Sequence, residues 1–284
     1  MTAPFEVRNV WKRFGATEAL RGVTTSFVKG LNVVVGPNGS GKTTLLKILV
    51  GLAKPSSGKV ISLGLDPSRD APKVLRLVGL FIEGYQLPWW LSGESLARIL
   101  SYERGVKWSL VKELAEELGV SSYWKRVVRG YSSGMRKRLE LLLAFACARE
   151  ALVLDEPFTL LDKASVKIIS DLIERFAKNV PVVVATHVEA PCVDSADKAV
   201  ILIGGEIAKE VRRDEVPNYV CRVRDAEAFL RSVAMAREGI EKLELQGDVA
   251  LLKVRDPRAI NALNGIESCT PSMRGALSYE ELVS

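Results

Sequence analysis

A glycine-rich segment near the start of the chain has the residue types and spacing of a phosphate-binding site. Residues 36–43 read GPNGSGKT and match the phosphate-loop pattern GxxxxGK[ST], with an apolar run before it and a helical pattern after it. Glycines let backbone N–H groups curve around phosphate oxygens, and the following helix directs its positive N-terminal end at the same anion. We expect Lys42 to reach the β- and γ-phosphates and the Thr43 hydroxyl to ligate Mg²⁺.

A pair of carboxylates follows a second apolar run. Asp155 and Glu156 come directly after residues 151–154, which read ALVL. Ligands bind at the carboxyl ends of strands in open α/β sheets. We expect Asp155 to hold Mg²⁺, directly or through water, and Glu156 to orient and deprotonate an attacking water. The pair is weak evidence alone, but the phosphate loop strengthens it because the two motifs need each other to hold Mg–ATP.

The composition excludes several other classes of site. His187 is the single histidine among 284 residues, so a metal site with two or more histidine ligands is excluded. It is also the one candidate for imidazole acid/base chemistry. The longest apolar run, residues 141–148, is far shorter than the roughly 20 residues of a membrane span, and we read no signal peptide at the start. Four widely spaced cysteines without a CxxC motif predict reduced, cytosolic thiols.

The net charge of +6 is unevenly distributed. The first 213 residues carry +9 and residues 214–284 carry −3. A basic front part fits a polyphosphate ligand, a nucleic acid or an anionic membrane surface. An ordinary mixed, solvated surface explains the same charge equally well.

Short apolar runs alternate with helical patterns, such as residues 43–51 and 163–178. Several runs are apolar throughout, as in strands buried on both faces of a mostly parallel sheet. The predicted strands are residues 5–10, 31–35, 60–63, 77–82, 152–154, 182–185 and 200–203. The alternation predicts an α/β fold. Residues 84–149 lack strong strand runs and predict an inserted helical subdomain, with helices at 92–104, 109–118 and 134–149.

The last 70 residues show a different order of predicted strands and helices. Their order βαββαβ is that of a small split-βαβ sandwich, and the net charge changes sign near Asp214. We therefore expect a nucleotide-binding domain over residues 1–213 and a small α+β domain over residues 214–284.

Five motifs in order resemble those of the ATP-binding cassette (ABC) transporter ATPases. The phosphate loop and the Asp155–Glu156 pair come with three further segments: YSSGM at 131–135 resembles the signature motif, DEPFTLLD resembles the D-loop and ends at Asp162, and VVVATHV places His187 like the switch histidine. The resemblance covers about residues 4–213 and implies a RecA-like P-loop NTPase core with a mixed sheet.

The resemblance implies a role for each matching residue. Two such domains pair head to tail, so Ser132 and Gly134 would contact the γ-phosphate bound to the partner, His187 would position the water and Glu156, and Asp162 would couple the two sites. Phe14 would stack on adenine, although a core or turn aromatic is the alternative. The ATP contacts would be Phe14, Asn38, Gly39, Ser40, Gly41, Lys42, Thr43, Thr44, Ser132, Gly134 and Asp162.

The sequence departs from the family at several positions. Glu83 stands where a glutamine usually contacts Mg²⁺ and water, and Gln86 is the alternative three residues later. We favour Glu83 as a catalytic and Mg²⁺-binding residue, since a carboxylate still ligates Mg²⁺. The added negative charge lies near the phosphates. Ser133 and Met135 alter the signature, and Leu160 replaces the usual glycine of the D-loop.

The glutamate and the YSSGMRKRL segment look most like ATPases of drug, antibiotic or natural-ion exporters. The closing PSMRGALSYEELV also resembles that subgroup. The resemblance implies a separate integral membrane permease as partner, a homodimer or heterodimer of ATPase subunits, and a cytoplasmic location on the inner face of the membrane. Trp89 and Trp90 either form part of the permease socket or pack inside the helical insertion. The alternatives are an importer ATPase and a soluble ABC ATPase acting on nucleic acid or the ribosome, although we expect no nucleic acid.

Overall fold

The computed structural model describes residues 3–84, 87–187, 190–216, 218–236 and 239–273. Up to residue 213, the described residues form the strands β1 (Phe5–Phe14), β2 (Thr17–Phe27), β3 (Leu31–Val35), β4 (Ser57–Ser62), β5 (Val78–Phe81), β6 (Ala151–Asp155), β7 (Val182–Thr186), β8 (Lys198–Ile203) and β9 (Glu206–Arg212). The helices are α1 (Lys42–Leu49), α2 (Pro67–Leu77), α3 (Gly93–Arg104), α4 (Trp108–Glu117), α5 (Ser133–Ala146) and α6 (Lys163–Ala177).

The central sheet has six strands in the order β5-β6-β7-β3-β8-β9. Five run parallel, and β9 pairs antiparallel with β8, so the sheet is mixed as predicted. Every residue of β3, β6 and β7 is buried, which explains their uninterrupted apolar sequences. Val33 and Val35 pack on the face that carries α5 and α6, while Val34 packs on the face that carries α1. The parallel strands therefore end together at one edge, where the phosphate loop leaves β3.

A second, antiparallel sheet joins strands in the order β2-β1-β4. It covers the α1 face of the central sheet through Phe5, Leu20 and Phe27. Sequence analysis missed β2 and β9. The burial of β2 is irregular, Gly22 lies within it, and most β9 residues are exposed, so neither strand has a long apolar run.

The helices α3, α4 and α5 occupy the segment for which the sequence predicts a helical insertion. Their apolar residues, such as Leu96, Leu114 and Leu139, join the core on the α5–α6 face of the sheet. Helix α2 was not predicted, because Pro72 lies inside it and only two of its residues are buried. Among the described residues, none of the helices is long and apolar enough to span a membrane.

The C-terminal residues form a four-stranded antiparallel sheet in the order β11-β12-β10-β13. Its elements are β10 (Asn218–Val223), α7 (Ala226–Met235), β11 (Ile240–Gln246), β12 (Val249–Val254) and β13 (Ile266–Pro271). The predicted order βαββαβ holds, except that the second helix is a 3₁₀ segment, Pro257–Ala262. Phe229, Leu252 and neighbouring side chains form an apolar cluster of their own.

Two buried side chains flank this sheet and join it to the larger core. Val216 precedes β10 and Met273 follows β13, and both belong to the apolar cluster around α5 and α6. The Ser272 hydroxyl also donates a hydrogen bond to the Asp194 carboxylate at 3.2 Å. The sheet is thus anchored at both ends of its chain segment.

The expectation of four reduced thiols is wrong for one pair. Cys221 on β10 lies directly opposite Cys269 on β13, and the two form a disulfide. Their sequence separation of 48 gives no sign of this pairing, because the strands rather than the sequence spacing bring the two cysteines together. Cys147 and Cys192 are buried thiols.

Candidate active site

The phosphate loop connects β3 to α1, and at two of its positions only glycine fits. Gly41 has φ of 105°, and a Cβ there would lie 2.5 Å from the Ala19 carbonyl oxygen. A Cβ on Gly36 would lie 2.1 Å from the Leu202 carbonyl oxygen. Helix α1 begins at Lys42 with no side-chain cap, so its first N–H groups face the loop. This arrangement is suited to an anion.

Lys42 is held inside the loop. Its side chain is buried, and its ammonium donates to the carbonyl oxygens of Gly36 at 2.7 Å and Pro37 at 3.2 Å. The same Nζ lies 3.7 Å from a Glu156 carboxylate oxygen. Lys42 thus links the phosphate loop to the end of β6 and places a positive charge where phosphates would bind.

Asp155 ends β6 and is almost completely buried. Its Oδ2 accepts a hydrogen bond from the Thr43 hydroxyl at 2.7 Å. Burial raises the pKa of the Asp155 carboxyl, and the Thr43 hydrogen bond opposes that rise. Within the part of the chain that the structure describes, Asp155 Oδ1 has no hydrogen-bond partner. A buried oxygen without a partner, beside a threonine hydroxyl, fits the oxygen ligands that Mg²⁺ prefers.

Glu156 follows β6 in a left-handed backbone conformation with φ of 48°. Its two carboxylate oxygens lie 3.5 Å from His187 Nε2 and 3.7 Å from Lys42 Nζ. Burial raises the pKa of the Glu156 carboxyl, while His187 and Lys42 counteract that rise. The imidazole is 49% exposed, so His187 lies between the carboxylate and solvent. A carboxylate with a raised pKa, beside the phosphate loop, is suited to accept a proton from water.

The remaining residues expected near the nucleotide differ in their exposure. Glu83 comes just after β5, is exposed, and interacts electrostatically with Asp155. Its alternative, Gln86, lies outside the described residues.

Phe14 ends β1 with its ring 55% exposed and the Lys12 ammonium 4.7 Å from the ring centroid. An exposed ring contradicts a core role for Phe14. Of the other loop residues, Asn38 and Gly39 are exposed, Ser40 is buried and Thr44 is partly buried on α1.

The signature and D-loop residues cap two helices. The Ser132 hydroxyl accepts the Met135 N–H at 3.2 Å and caps α5, and Asp162 accepts the Ser165 N–H at 2.8 Å and caps α6. This bond lowers the pKa of Asp162. Gly134 lies beside the Leu160 carbonyl oxygen. Among the described residues, no hydrogen bond joins Ser132 or Gly134 to the phosphate loop of the same chain.

The structure adds residues that the sequence analysis missed. Lys137 on α5 is buried and donates a hydrogen bond to the Glu156 carbonyl oxygen at 2.6 Å. Glu140, one turn further along α5, has its pKa raised to about 7 by burial. The available signal was helical spacing: Lys137 precedes Leu141 by four residues and therefore shares its buried face.

Comparison with known proteins decides the family. The family model described as "ABC transporter" matches residues 20–159. The chain is 30% identical over 215 residues to the lantibiotic transport ATP-binding protein SrtF of Streptococcus pyogenes, covering 75% of this chain and 93% of that protein. This chain belongs to the ABC transporter ATP-binding proteins. It is an ABC ATPase, and its α/β core is the nucleotide-binding fold of that family.

Other relatives of this ABC ATPase carry different transport names. The daunorubicin resistance ATP-binding protein DrrA3 of Streptomyces coeruleorubidus is 29% identical over 90% of this chain and 84% of its own length. The sulfate/thiosulfate import ATP-binding protein CysA of Methylococcus capsulatus is 32% identical over 75% of this chain and 64% of its own length. A solved ATP-binding subunit of an ABC transporter superimposes with a TM-score of 0.68 at 22% identity, covering 75% of this chain and 91% of that chain. That likeness supports the fold alone.

Proposed function

We propose that this ABC ATPase hydrolyses ATP with Glu156 as general base, and that it powers a separate membrane permease in an exporter. The observation that carries the catalytic assignment is the position of the Glu156 carboxylate between His187 Nε2 and Lys42 Nζ, beside the phosphate loop. His187 orients the carboxylate and the attacking water, and Lys42 holds the β- and γ-phosphates.

Mg²⁺ is proposed to bind between the Thr43 hydroxyl and the Asp155 carboxylate. The Thr43–Asp155 hydrogen bond and the partnerless Asp155 Oδ1 support this placement. Bound there, the ion would neutralise phosphate charge. Glu83 is proposed as a further oxygen ligand. The residues 38–44 surround the phosphates, and the exposed Phe14 ring stacks on the adenine.

The second half of each site is proposed to come from a partner subunit. Ser132 and Gly134 lie at the N-terminal end of α5, which is suited to bind the γ-phosphate held by the opposing phosphate loop. Asp162 caps α6 next to that surface and couples the two sites. ATP then holds two subunits together, and loss of the γ-phosphate releases them.

The permease is proposed to contact the segment between β5 and α3. Trp89 and Trp90 are 53% and 61% exposed, which excludes packing inside the helical subdomain. Their rings meet edge to face at 5.5 Å. Nearby, a cavity of about 280 Å³ lies between Phe81, Leu87 and Leu100. Exposed aromatic rings beside an apolar cavity are suited to receive a helix of a partner.

Export is favoured over import by the extent of the match to a drug-resistance relative. The match to the daunorubicin resistance protein extends over 90% of the chain, whereas the match to the sulfate importer covers 75%. Import remains the second candidate because that importer subunit is also 32% identical. We further propose that residues 1–213 and 214–284 are separate domains, and that the subunit works on the cytoplasmic face of the membrane.

The Glu156→Gln variant tests the catalytic assignment. Glutamine keeps the size of the side chain but cannot take a proton, so we expect ATP to bind normally and steady-state hydrolysis to fall by roughly 10²–10⁴-fold. The variant should also accumulate as an ATP-bound dimer in size-exclusion chromatography. The exposed Glu113→Gln serves as the matched control and should hydrolyse like the wild type. Wild-type turnover in Glu156→Gln would show that Glu156 is not the base.

A further inference from the structure

Lys137 is a buried lysine on the helix that carries the signature motif. Its side chain is only 4% exposed, and it lies on the face of α5 that turns toward the central sheet, four residues before the fully buried Leu141. An ammonium group taken out of water needs hydrogen bonds and counter-charges to remain ionised. Its surroundings must therefore supply both.

The hydrogen bonds of Lys137 converge on the backbone of Glu156. Its Nζ donates to the Glu156 carbonyl oxygen at 2.6 Å and also contacts the Thr159 hydroxyl. That hydroxyl donates to the same carbonyl oxygen at 3.1 Å. Glu156 is in the left-handed region, which is unfavourable for a residue with a side chain. Two donors on its carbonyl oxygen stabilise the peptide in the orientation that aims the carboxylate at His187 and Lys42.

The counter-charges come from the site itself. Burial lowers the pKa of Lys137, and four carboxylates oppose this shift, led by Glu83 and followed by Glu156, Glu140 and Asp155. The Phe81 ring adds a cation–π contact, with Nζ 5.2 Å from its centroid. These groups counter the cost of burying the Lys137 ammonium.

We propose that Lys137 is a positioning residue: its hydrogen bond to the Glu156 carbonyl oxygen holds the Glu156 backbone in its left-handed conformation beside the phosphate site. This proposal rests on the proposed role of Glu156 as general base. Lys137 bonds the backbone of the catalytic glutamate rather than a residue of the phosphate loop. Its removal should therefore change the rate of hydrolysis and leave the affinity for ATP unchanged.

The first test compares Lys137→Met, Lys137→Gln and Lys112→Met. Methionine keeps the length and burial of the side chain but removes the charge and the donor, whereas glutamine keeps a donor. Lys112 is an exposed lysine of α4 and gives the matched control. We expect at least a tenfold fall in kcat for Lys137→Met, a smaller fall for Lys137→Gln, and wild-type rates for Lys112→Met. The dissociation constant for ATP should stay within twofold in all three variants.

The second test places Lys137→Met in the Glu156→Gln background and measures single-turnover hydrolysis of radiolabelled ATP. Because Lys137 acts through Glu156, the double variant should hydrolyse within twofold of Glu156→Gln alone. A further fall as large as that in the wild-type background would overturn the proposal, as would an unchanged kcat in folded Lys137→Met. Should Lys137→Met not fold, as judged by circular dichroism, Lys137→Gln carries both comparisons.

Failure of the assigned base gives a different result. Rapid hydrolysis by Glu156→Gln itself would refute the assignment of the base, and the effect of Lys137→Met on kcat would then stand apart from it.

Discussion

Glu140 is a carboxyl group that burial makes easier to protonate. It lies on α5 beside the apolar cavity formed by Phe81, Leu87 and Leu100. Its pKa is raised from 4.5 to about 7, mainly by burial, with Arg136 and Lys137 opposing the shift and Glu83 adding to it. Because the folded-state pKa exceeds the unfolded value, this group stabilises the fold at acidic pH. That stabilisation is lost as the pH rises from 4.5 through 7.

Glu140→Gln should remove this pH dependence. We expect the variant to gain about 1–2 kcal/mol over the wild type between pH 5 and pH 8, a value reduced to allow for solvent around a half-buried group. Urea unfolding at both pH values measures the change, with the exposed Glu113→Gln as control. Parallel stability profiles for Glu140→Gln and the wild type would contradict the shifted pKa.

At the residue scale, motif spacing located the groups that are proposed to bind the nucleotide. Lys42, Thr43, Asp155, Glu156 and His187 lie within one cluster of hydrogen bonds and ion pairs. Their positions follow from the order of parallel strands, which the sequence reveals as apolar runs. Lys137 was not found this way, because its proposed role depends on which residues the buried face of α5 contacts. Such a tertiary contact is not visible in motif spacing.

At the element scale, the N-terminus of α5 combines a structural cap with a proposed phosphate contact. The Ser132 hydroxyl already accepts the Met135 N–H, so its loss should destabilise the helix by about 1 kcal/mol. Aspartate caps as well as serine but places a negative charge at the same helix end. Ser132→Asp should therefore keep the wild-type melting temperature and lose ATP-driven dimerisation.

Ser132→Ala provides the complementary variant. It should melt about 2–4 °C lower and retain most ATP-driven dimerisation, because the helix N–H groups remain. Calorimetry and size-exclusion chromatography with ATP separate the two effects. Dimerisation of Ser132→Asp at wild-type ATP concentrations would show that this helix end does not face a phosphate.

Elements were predictable where burial alone determines their sequence. Strands β3, β6 and β7 are buried on both faces, so their apolar runs identify them directly. Strand β9 at the edge of the sheet and helix α2 at the surface bury few residues. Tertiary hydrogen bonding therefore determines whether these two elements form. The pairing of Cys221 with Cys269 likewise follows from strand order. Intrinsic strand propensity has little influence on which segments pair at such positions.

At the scale of the whole molecule, the proposed active site is complete only between two subunits, and mixing two defective chains tests this. Lys42→Ala lacks the ammonium that is proposed to bind phosphate, and Gly134→Asp places a carboxylate at the signature helix. Position 134 has room for a side chain, since among the described residues a Cβ there meets only the Leu160 carbonyl oxygen at 3.5 Å. The exposed Glu113→Gln on α4 is the control and should remain active.

Each defective chain alone should hydrolyse little ATP. In a head-to-tail dimer of one Lys42→Ala chain and one Gly134→Asp chain, one site receives both defects and the other receives neither. Random pairing makes half of the dimers mixed, so an equimolar mixture should recover up to about one quarter of the wild-type rate. Crosslinking confirms that mixed dimers form under the assay conditions. If they form and no activity returns, each chain builds its whole site alone, and the N-terminus of α5 has another role.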